Sequence, residues 1–344
     1  MTGLARNFRS GLGIFVAALL VATAPSIGAQ SPQGNDNEKS WEAVAPGVVE
    51  PRSGEIRMLA PVIGRITEVA VGPTDMVLAG ERLIQLDDEE ARARLASAQA
   101  NFAMRKRVRN EQSAGKGADR RKAEDAVADA EAALVEARST FDKAAAARRS
   151  GGGAEADVTA ARTAWTNAQE TVAQKRGQLR KIEAQSDTPL PTQAEGALDA
   201  AHGELRLAVA ALDDLTIRAP IAGTVLQVNA KIGELAAPTA PRPLLSLGDL
   251  SALRVRAELD ERDIGKIKPG QNVVVRSEAF ASREFAGKVT TVAPMVQPAH
   301  INASGARNLT DFSVAEVLID IADASPLVVG LKVDVYFPRE KAAQ

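Results

Sequence analysis

The residue types that most often carry enzymatic chemistry are scarce in this sequence. It contains no cysteine, which excludes disulfides, thiolate metal ligands and thiol nucleophiles. Its two histidines, His202 and His300, are 98 positions apart and lie in no metal-binding motif. We interpret His202 as a helix-surface residue and His300 as a loop residue. Histidine-based zinc chemistry is therefore not expected.

The sequence also lacks the common catalytic and phosphate-binding motifs. The sequence has no phosphate-binding Gly-x-x-x-x-Gly-Lys-Ser/Thr loop, no Gly-x-Ser-x-Gly elbow and no His-Glu-x-x-His helix. We interpret the acidic run from Asp87 to Glu90 as the first turn of a helix, where carboxylates suit the helix dipole. The basic run from Arg105 to Arg109 is interpreted as a solvated helix face or as a surface that pairs with a neighbouring subunit. We predict no catalytic residue, no cofactor and no metal ligand, so the protein is not expected to be an enzyme.

Charge and the N-terminal segment indicate the compartment. With 42 basic and 44 acidic side chains the net charge is −2, which gives no reason to expect nucleic-acid binding. Arg6 and Arg9 precede a mostly apolar run that is shorter than the roughly 20 residues of a membrane-spanning helix. We predict an export signal over residues 1–29, cleaved before Gln30 or kept as an inner-membrane anchor, and a flexible tether over residues 30–40. The rest of the chain is then expected in the periplasm.

An internal repeat organises the chain. The segment from Ala60 to Ile66 recurs, 159 positions later, as Ala219 to Val225. Each copy alternates apolar and polar residues, has Pro and Gly at turn positions, and spans only about 30 residues, too few for a core of its own. We therefore predict that the two copies pair into one β-module.

The segment between the copies has a helical period. From Ala123 to Ala144 and again from Val158 to Ile182, apolar residues step by four and three positions, which is typical of a coiled coil. Glycines at 151–153 indicate a reversal, and antiparallel seam partners such as Phe141 and Trp165 have position numbers that sum to about 306. Glycines near 115–117 fall opposite prolines near 189–191, so both arms are expected to break at one level. We predict one jointed hairpin whose 60-residue arms reach roughly 90 Å.

The C-terminal part returns to a β pattern. Strictly alternating residues from Leu253 to Leu259 and several later strands predict a small barrel, completed by an N-terminal strand. The predicted fold class is α+β and multidomain, with these parts in order: N-terminal barrel strand 41–56, first half-module 57–87, helical hairpin 88–214 with its tip near 150–154, second half-module 215–249, and barrel 250–340.

The order of these parts and their motifs resemble a known family. The segments LAPVIGRITEVAV, LTIRAPIAGTVLQV and ALRVRAELDERDIGKIKPGQNVVV are similar to those of HlyD-family periplasmic adaptors, also called membrane fusion proteins. The resemblance spans roughly Val48 to Phe337. It implies that the β-module is a split lipoyl/biotinyl-like fold interrupted by the hairpin. The stretch from Met295 to Asp311 resembles adaptors of ABC exporters of the DevB type.

The resemblance also implies partners. Adaptors of this family form rings, here expected to be hexamers, that bind an inner-membrane transporter and reach toward an outer-membrane TolC-type channel. An ABC permease and ATPase are the expected transporter; an RND-type pump or a free-standing coiled-coil scaffold are the alternatives. In adaptors that dock on such channels the tip carries Arg, Leu and Ser, and the matching positions here are Lys143, Ala147 and Ala154. We predict an altered tip that still docks, with Arg148, Arg149 and Ser150 supplying the polar contacts.

Overall fold

The computed structural model describes residues 41–112, 117–184, 191–281, 283–300, 313–322 and 326–339. The predicted export signal and tether lie outside these residues. The α+β fold class is confirmed. The helices are α1 (Glu89–Gln112), α2 (Ala118–Arg149), α3 (Glu155–Glu183) and α4 (Gln193–Asp213). The strands are β1 (Trp41–Pro51), β2 (Ile56–Met58), β3 (Gly64–Val69), β4 (Met76–Val77), β5 (Arg82–Leu86), β6 (Thr216–Arg218), β7 (Gly223–Val228), β8 (Leu235–Ala236), β9 (Leu245–Gly248), β10 (Leu253–Asp260), β11 (Asn272–Arg276), β12 (Glu284–Pro298), β13 (Ser313–Ile321) and β14 (Lys332–Pro338).

Strands β2 to β9 form the lipoyl-like module, and each of its two sheets contains strands from both sequence halves. One sheet has the order β2-β9-β7-β4 and the other β6-β5-β3-β8. The strand pairings between the two halves follow the internal sequence repeat. Gly64 pairs with Ala236, and the equivalent residues Gly223 and Val77 also pair. The two copies thus complete each other, and their apolar side chains share one buried core that includes Ile66, Leu86, Val225 and Leu247.

The C-terminal strands form a closed six-stranded barrel in the order β1-β10-β13-β12-β11-β14. Strand β1 closes it by pairing antiparallel with both β10 and β14. Alternate residues of each strand point inward, as the period of a half-buried strand requires. Val255, Leu259, Ile319 and Phe337 are among the side chains that fill the interior.

The helices form two antiparallel pairs. Helices α1 and α4 leave and re-enter the lipoyl-like module side by side, and α2 and α3 form the second pair, which carries the turn. The seam register is observed where it can be checked directly: the rings of Phe141 and Trp165 stack with centroids 5.4 Å apart.

The predicted reach of the hairpin is wrong. The α2–α3 pair does not continue outward from α1–α4 but doubles back along it. Side-chain contacts follow the whole length of the return: Arg109 of α1 contacts Asp125, His202 of α4 contacts Glu131, and further on Arg138 contacts Asp213. Helix α2 therefore runs antiparallel to α1 and parallel to α4. The result is a short four-helix bundle whose tip returns to the lipoyl-like module.

Candidate functional site: the hairpin tip and its contacts

The turn between α2 and α3 lies where the sequence predicts the tip. Helix α2 ends at Arg149, and Gly151 adopts a φ of +78°, a left-handed conformation that suits glycine. The Ala147 carbonyl accepts hydrogen bonds from the amides of Gly152 and Gly153, both at 3.0 Å. The last carbonyls of α2 are in this way satisfied without any partner outside the turn.

The predicted tip residues do not share one environment. Ser150 and Ala154 are exposed, and the Ser150 hydroxyl donates to the Ala147 carbonyl. Lys143 is also exposed, about two turns of α2 before the tip. Arg148 and Arg149 differ from these residues because their guanidinium groups lie against the lipoyl-like module.

The two arginines converge on Glu81, a carboxylate with no exposed surface. Arg148 Nη2 donates to Glu81 Oε2 at 3.0 Å, and Arg149 Nε lies 3.3 Å from Oε1. Arg149 Nη1 also donates to the Ala70 carbonyl at 2.8 Å. The same Glu81 carboxylate accepts from the Leu78 amide at 2.8 Å, which fixes it within the β4–β5 turn. Sequence analysis missed Glu81; its one signal was a charged side chain between the apolar residues that lead into β5.

Apolar contacts surround this ion cluster. Phe141 and Val158 have no exposed surface and pack with Leu78 of the β4–β5 turn. The indole of Trp165 lies on the α-carbon of Gly80 so closely that a methyl group there would sit 2.6 Å from Cη2. Glycine at position 80 thus allows the second helix pair to approach the module. Two helices alone would leave one side of Phe141 in water, and here the module covers it.

Further charge pairs join the α2–α3 pair to the base of the bundle. Arg218 of β6 holds Asp142 with both terminal nitrogens, at 2.6 and 2.9 Å. Arg138 lies 2.6 Å from Asp213 at the end of α4. Bidentate guanidinium–carboxylate pairs of this kind fix orientation as well as distance.

His202 lies between the helix pairs and is not the surface residue predicted from the sequence. Its Nε2 is 2.8 Å from Glu131 Oε2, and its ring lies 5.3 Å from that of Phe102. Arg176 donates to the other Glu131 oxygen at 2.7 Å. Burial alone raises the pKa of Glu131, but the hydrogen bonds and charges of His202 and Arg176 outweigh it and hold the pKa below its ordinary value.

A second ion cluster lies where the chain doubles back. Arg120 of α2 and Glu195 of α4 are both buried and lie 2.8 Å apart. Burial raises the pKa of Glu195, yet its capping-box bonds with Thr192 and the adjacent Arg120 and Arg121 lower it overall. Arg109 is almost fully buried and pairs with Asp125 at 2.8 Å. The basic run is therefore only partly a solvated face: Arg105 and Arg107 are exposed, whereas Lys106 and Arg109 pair with Asp125 within the chain.

The described ranges offer little else that could do chemistry. His300 donates its backbone amide to the buried carboxylate of Glu258, and its ring is largely exposed. Across the described part of the chain no cluster of His, Asp and Glu could hold a metal ion. Among the described helices, none is long and apolar enough to cross a membrane.

The chain is similar to several known proteins. A family model described as a YknX-like beta-barrel domain matches residues 253–336. The multidrug resistance protein MdtN of Escherichia coli strain K12 is 29% identical over 249 residues, 71% of each chain. A UPF0194 membrane protein of Yersinia pestis is 29% identical over 294 residues, 81% of this chain and 84% of that one. The membrane fusion protein Spr0693 of Streptococcus pneumoniae R6 is similar in structure, with 20% identity, a TM-score of 0.48, and 87% of this chain and 99% of that one covered.

The barrel match covers the C-terminal strands, and the two relatives extend the similarity over most of the chain. The lipoyl-like module is split by a helical hairpin, as the resemblance in sequence implies. These similarities support the resemblance of the chain to membrane fusion proteins of the HlyD family, which are structural adaptors.

Proposed function

We propose that this protein is the periplasmic adaptor that links an inner-membrane ABC exporter to an outer-membrane TolC-type channel. The observation that carries the proposal is the split lipoyl-like module, which presents a helical hairpin on one side and continues into a barrel on the other. Such a chain can bind one partner through its β-domains and another through the hairpin. The ABC assignment is supported by the resemblance to DevB-type adaptors; an RND-type pump is the alternative transporter.

The adaptor is proposed to work as a closed ring of six chains. A hairpin with an alanine-rich seam buries modest area in one chain, so neighbouring copies would add stability, and a head-to-tail interface that closes gives a ring. The mass of the complex purified with its transporter measures the number of chains. A single adaptor chain per transporter would contradict the ring.

An export assay tests the proposed function. A strain that lacks the gene should become sensitive to compounds from a panel of dyes and antibiotics, and the full-length protein should restore resistance. A variant without residues Asp88 to Asp214 is the matched control, because it keeps the β-domains and lacks the hairpin. Resistance that is unchanged by deletion of the gene across the panel, in a strain shown to express the protein, would favour the free-standing scaffold.

The identity of the transporter has its own test. The tagged adaptor, cross-linked in cells and purified from solubilised envelopes, should carry an ABC permease with its ATPase. Recovery of a proton-driven pump in their place would assign the adaptor to the RND alternative.

A further inference from the structure

We propose that the structure is a closed resting form of the adaptor, in which the lipoyl-like module binds the hairpin tip of its own chain through a socket built on Glu81. The proposal rests on the adaptor function above, because it concerns the same tip. The socket consists of the Glu81 carboxylate, the Ala70 carbonyl and the bare α-carbon of Gly80. Its occupants are the guanidinium groups of Arg148 and Arg149 at the tip, together with the indole of Trp165.

The residues of the socket are not needed to form the lipoyl-like fold, because the second copy of the repeat lacks them. In the first half the β4–β5 turn carries Gly80 and Glu81, which contact the tip. The matching β8–β9 turn of the second half, residues 237–243, has no glycine and no acidic residue. The two halves otherwise form equivalent strands, so they serve as an internal comparison. The features that receive the tip occur only in the copy that faces it.

The charges in the socket are complementary and enclosed. Glu81 has no exposed surface, and both tip arginines lie within 3.3 Å of its oxygens. A buried carboxylate is costly unless cations and hydrogen-bond donors surround it. The Leu78 amide supplies one donor from the module, and the tip supplies the cations. Withdrawal of the tip would expose Glu81 to water, which also solvates it, so the contact can open.

The remaining contacts, between the α1–α4 pair and the α2–α3 pair, are ones that can separate. Close backbone packing among the described helices occurs within the α1–α4 pair and within the α2–α3 pair. Between the pairs the contacts are mostly long charged side chains, and a cavity of about 660 Å³ lies there, lined by Leu95, Phe102, Leu134, Leu205 and Val209 among others. This space is open to solvent, since Val135 and Glu136 on its lining are exposed. Both pairs can thus keep their own seams while the α2–α3 pair moves away from the α1–α4 pair.

Closure and channel docking use the same side chains. Arg148 and Arg149 cannot contact a channel while they lie on Glu81 and Ala70. In the open form the 24 residues of α1 and the 32 residues of α2 would together extend roughly 84 Å. The closed form would therefore keep the tip from premature contacts until partners favour the open form.

Distance measurements on the purified full-length protein test whether the tip occupies the socket. Since the chain has no cysteine, spin labels can be placed without background at Met76→Cys beside the socket and Gly152→Cys at the tip. Met76 is 78% exposed, and a side chain at Gly152 would be in ordinary contact with only two atoms, both 3.9 Å away. We expect a population with a short distance between the labels. A second pair, Gly152→Cys with Gln178→Cys, lies within the α2–α3 pair and should keep a distance of roughly 40 Å in either form.

Two sets of substitutions should release the tip from the socket. Glu81→Gln keeps an acceptor for the Leu78 amide but removes the charge, and Arg148→Glu/Arg149→Glu reverses the charge at the tip. Each should shift most of the Met76–Gly152 population to long distances, whereas Glu68→Gln on an exposed part of the same module should not. A wild-type protein with only the long distance, or a short population that both changes leave intact in a folded protein, would overturn the proposal. A short distance that disappears on dilution with unlabelled protein would also overturn it, because the tip would then bind another copy. These outcomes do not depend on transport, so they are separate from the export test.

Discussion

Trp165 of α3 lies directly on Gly80 of the lipoyl-like module, although 85 positions separate them in the sequence. Gly80 has a φ of +84°, and its missing side chain leaves the space that the indole fills. The contact is between the far helix pair and the module from which the near pair departs. It can form only in a chain that doubles back.

Substitution of Gly80 tests this contact. Gly80→Ala should displace the indole and weaken the attachment of the α2–α3 pair, since the methyl group would overlap the ring. The emission of Trp165, measured in a Trp41→Phe background, should shift to longer wavelength as water reaches the indole.

Gly54→Ala is the matched control for that experiment. Gly54 has a φ of +77° with no atom near its α-carbon, so alanine there adds only the backbone cost of about 1–2 kcal/mol. If Gly80→Ala and Gly54→Ala had the same effect on Trp165 emission, the close contact would be refuted.

Removal of the hairpin should leave a folded β-protein. A chain lacking Asp88 to Asp214, joined by a short linker, should be soluble, because both sheets of the lipoyl-like module keep all their strands. The ends to be joined are adjacent: the Leu86 amide donates to the Leu215 carbonyl at 2.8 Å. Circular dichroism and size-exclusion chromatography measure the result. A chain that ends at residue 87 should aggregate, as half of each sheet would be missing; aggregation of both proteins would argue against the pairing of the two halves.

The helical bundle should lose stability in acid partly through Glu131. Because its pKa is lowered by folding, Glu131 contributes stability above the ordinary value of 4.5 and loses that contribution as the pH falls through the lower folded value. Glu131→Gln should thus cost about 1 kcal/mol near neutral pH and much less at about pH 3. Urea unfolding followed by helical circular dichroism at both pH values gives the difference.

Glu136→Gln, on an exposed part of the same helix, is the control for that pH dependence. A constant cost of Glu131→Gln at both pH values would contradict the role of the ionised carboxylate. Glu124 has a raised pKa, mainly through burial, and so acts in the opposite direction. Comparison of each variant with the wild type at the same pH removes its effect.

Charge reversal at the tip should separate channel docking from closure. If Arg148 and Arg149 contact the channel, Arg148→Glu/Arg149→Glu should abolish export with protein level and ring assembly unchanged. Glu81→Gln should release the tip from the same socket but leaves the tip residues unchanged, and it should retain export. Lys143→Glu tests the remaining charge of the predicted tip. Normal export in both tip variants would rule out docking through these charges.

Sequence patterns determine local pairing better than they determine the direction of the chain after a break. The repeat predicts a paired β-module, and the seam register predicts the stacking of Phe141 on Trp165, because both depend on residues that face each other. A straight rod and a doubled-back bundle keep the same seams. The choice between them depends on Glu81, Gly80 and Arg218, whose partners are 60 to 90 positions away and follow no period. For the same reason Arg109 and His202 resembled surface residues until the facing helix was known.

The adjacent ends of the hairpin have a wider consequence. Because the chain leaves the lipoyl-like module after Leu86 and returns at Leu215 in direct hydrogen-bond contact, the strands of the module can pair whatever the length of the hairpin between these residues. Whole heptads can be added to or removed from both arms together without disturbing a single strand. Hairpins of other lengths can therefore be joined to the same module in engineered chains, whereas a tip that closes on Glu81 must keep the residues that contact it.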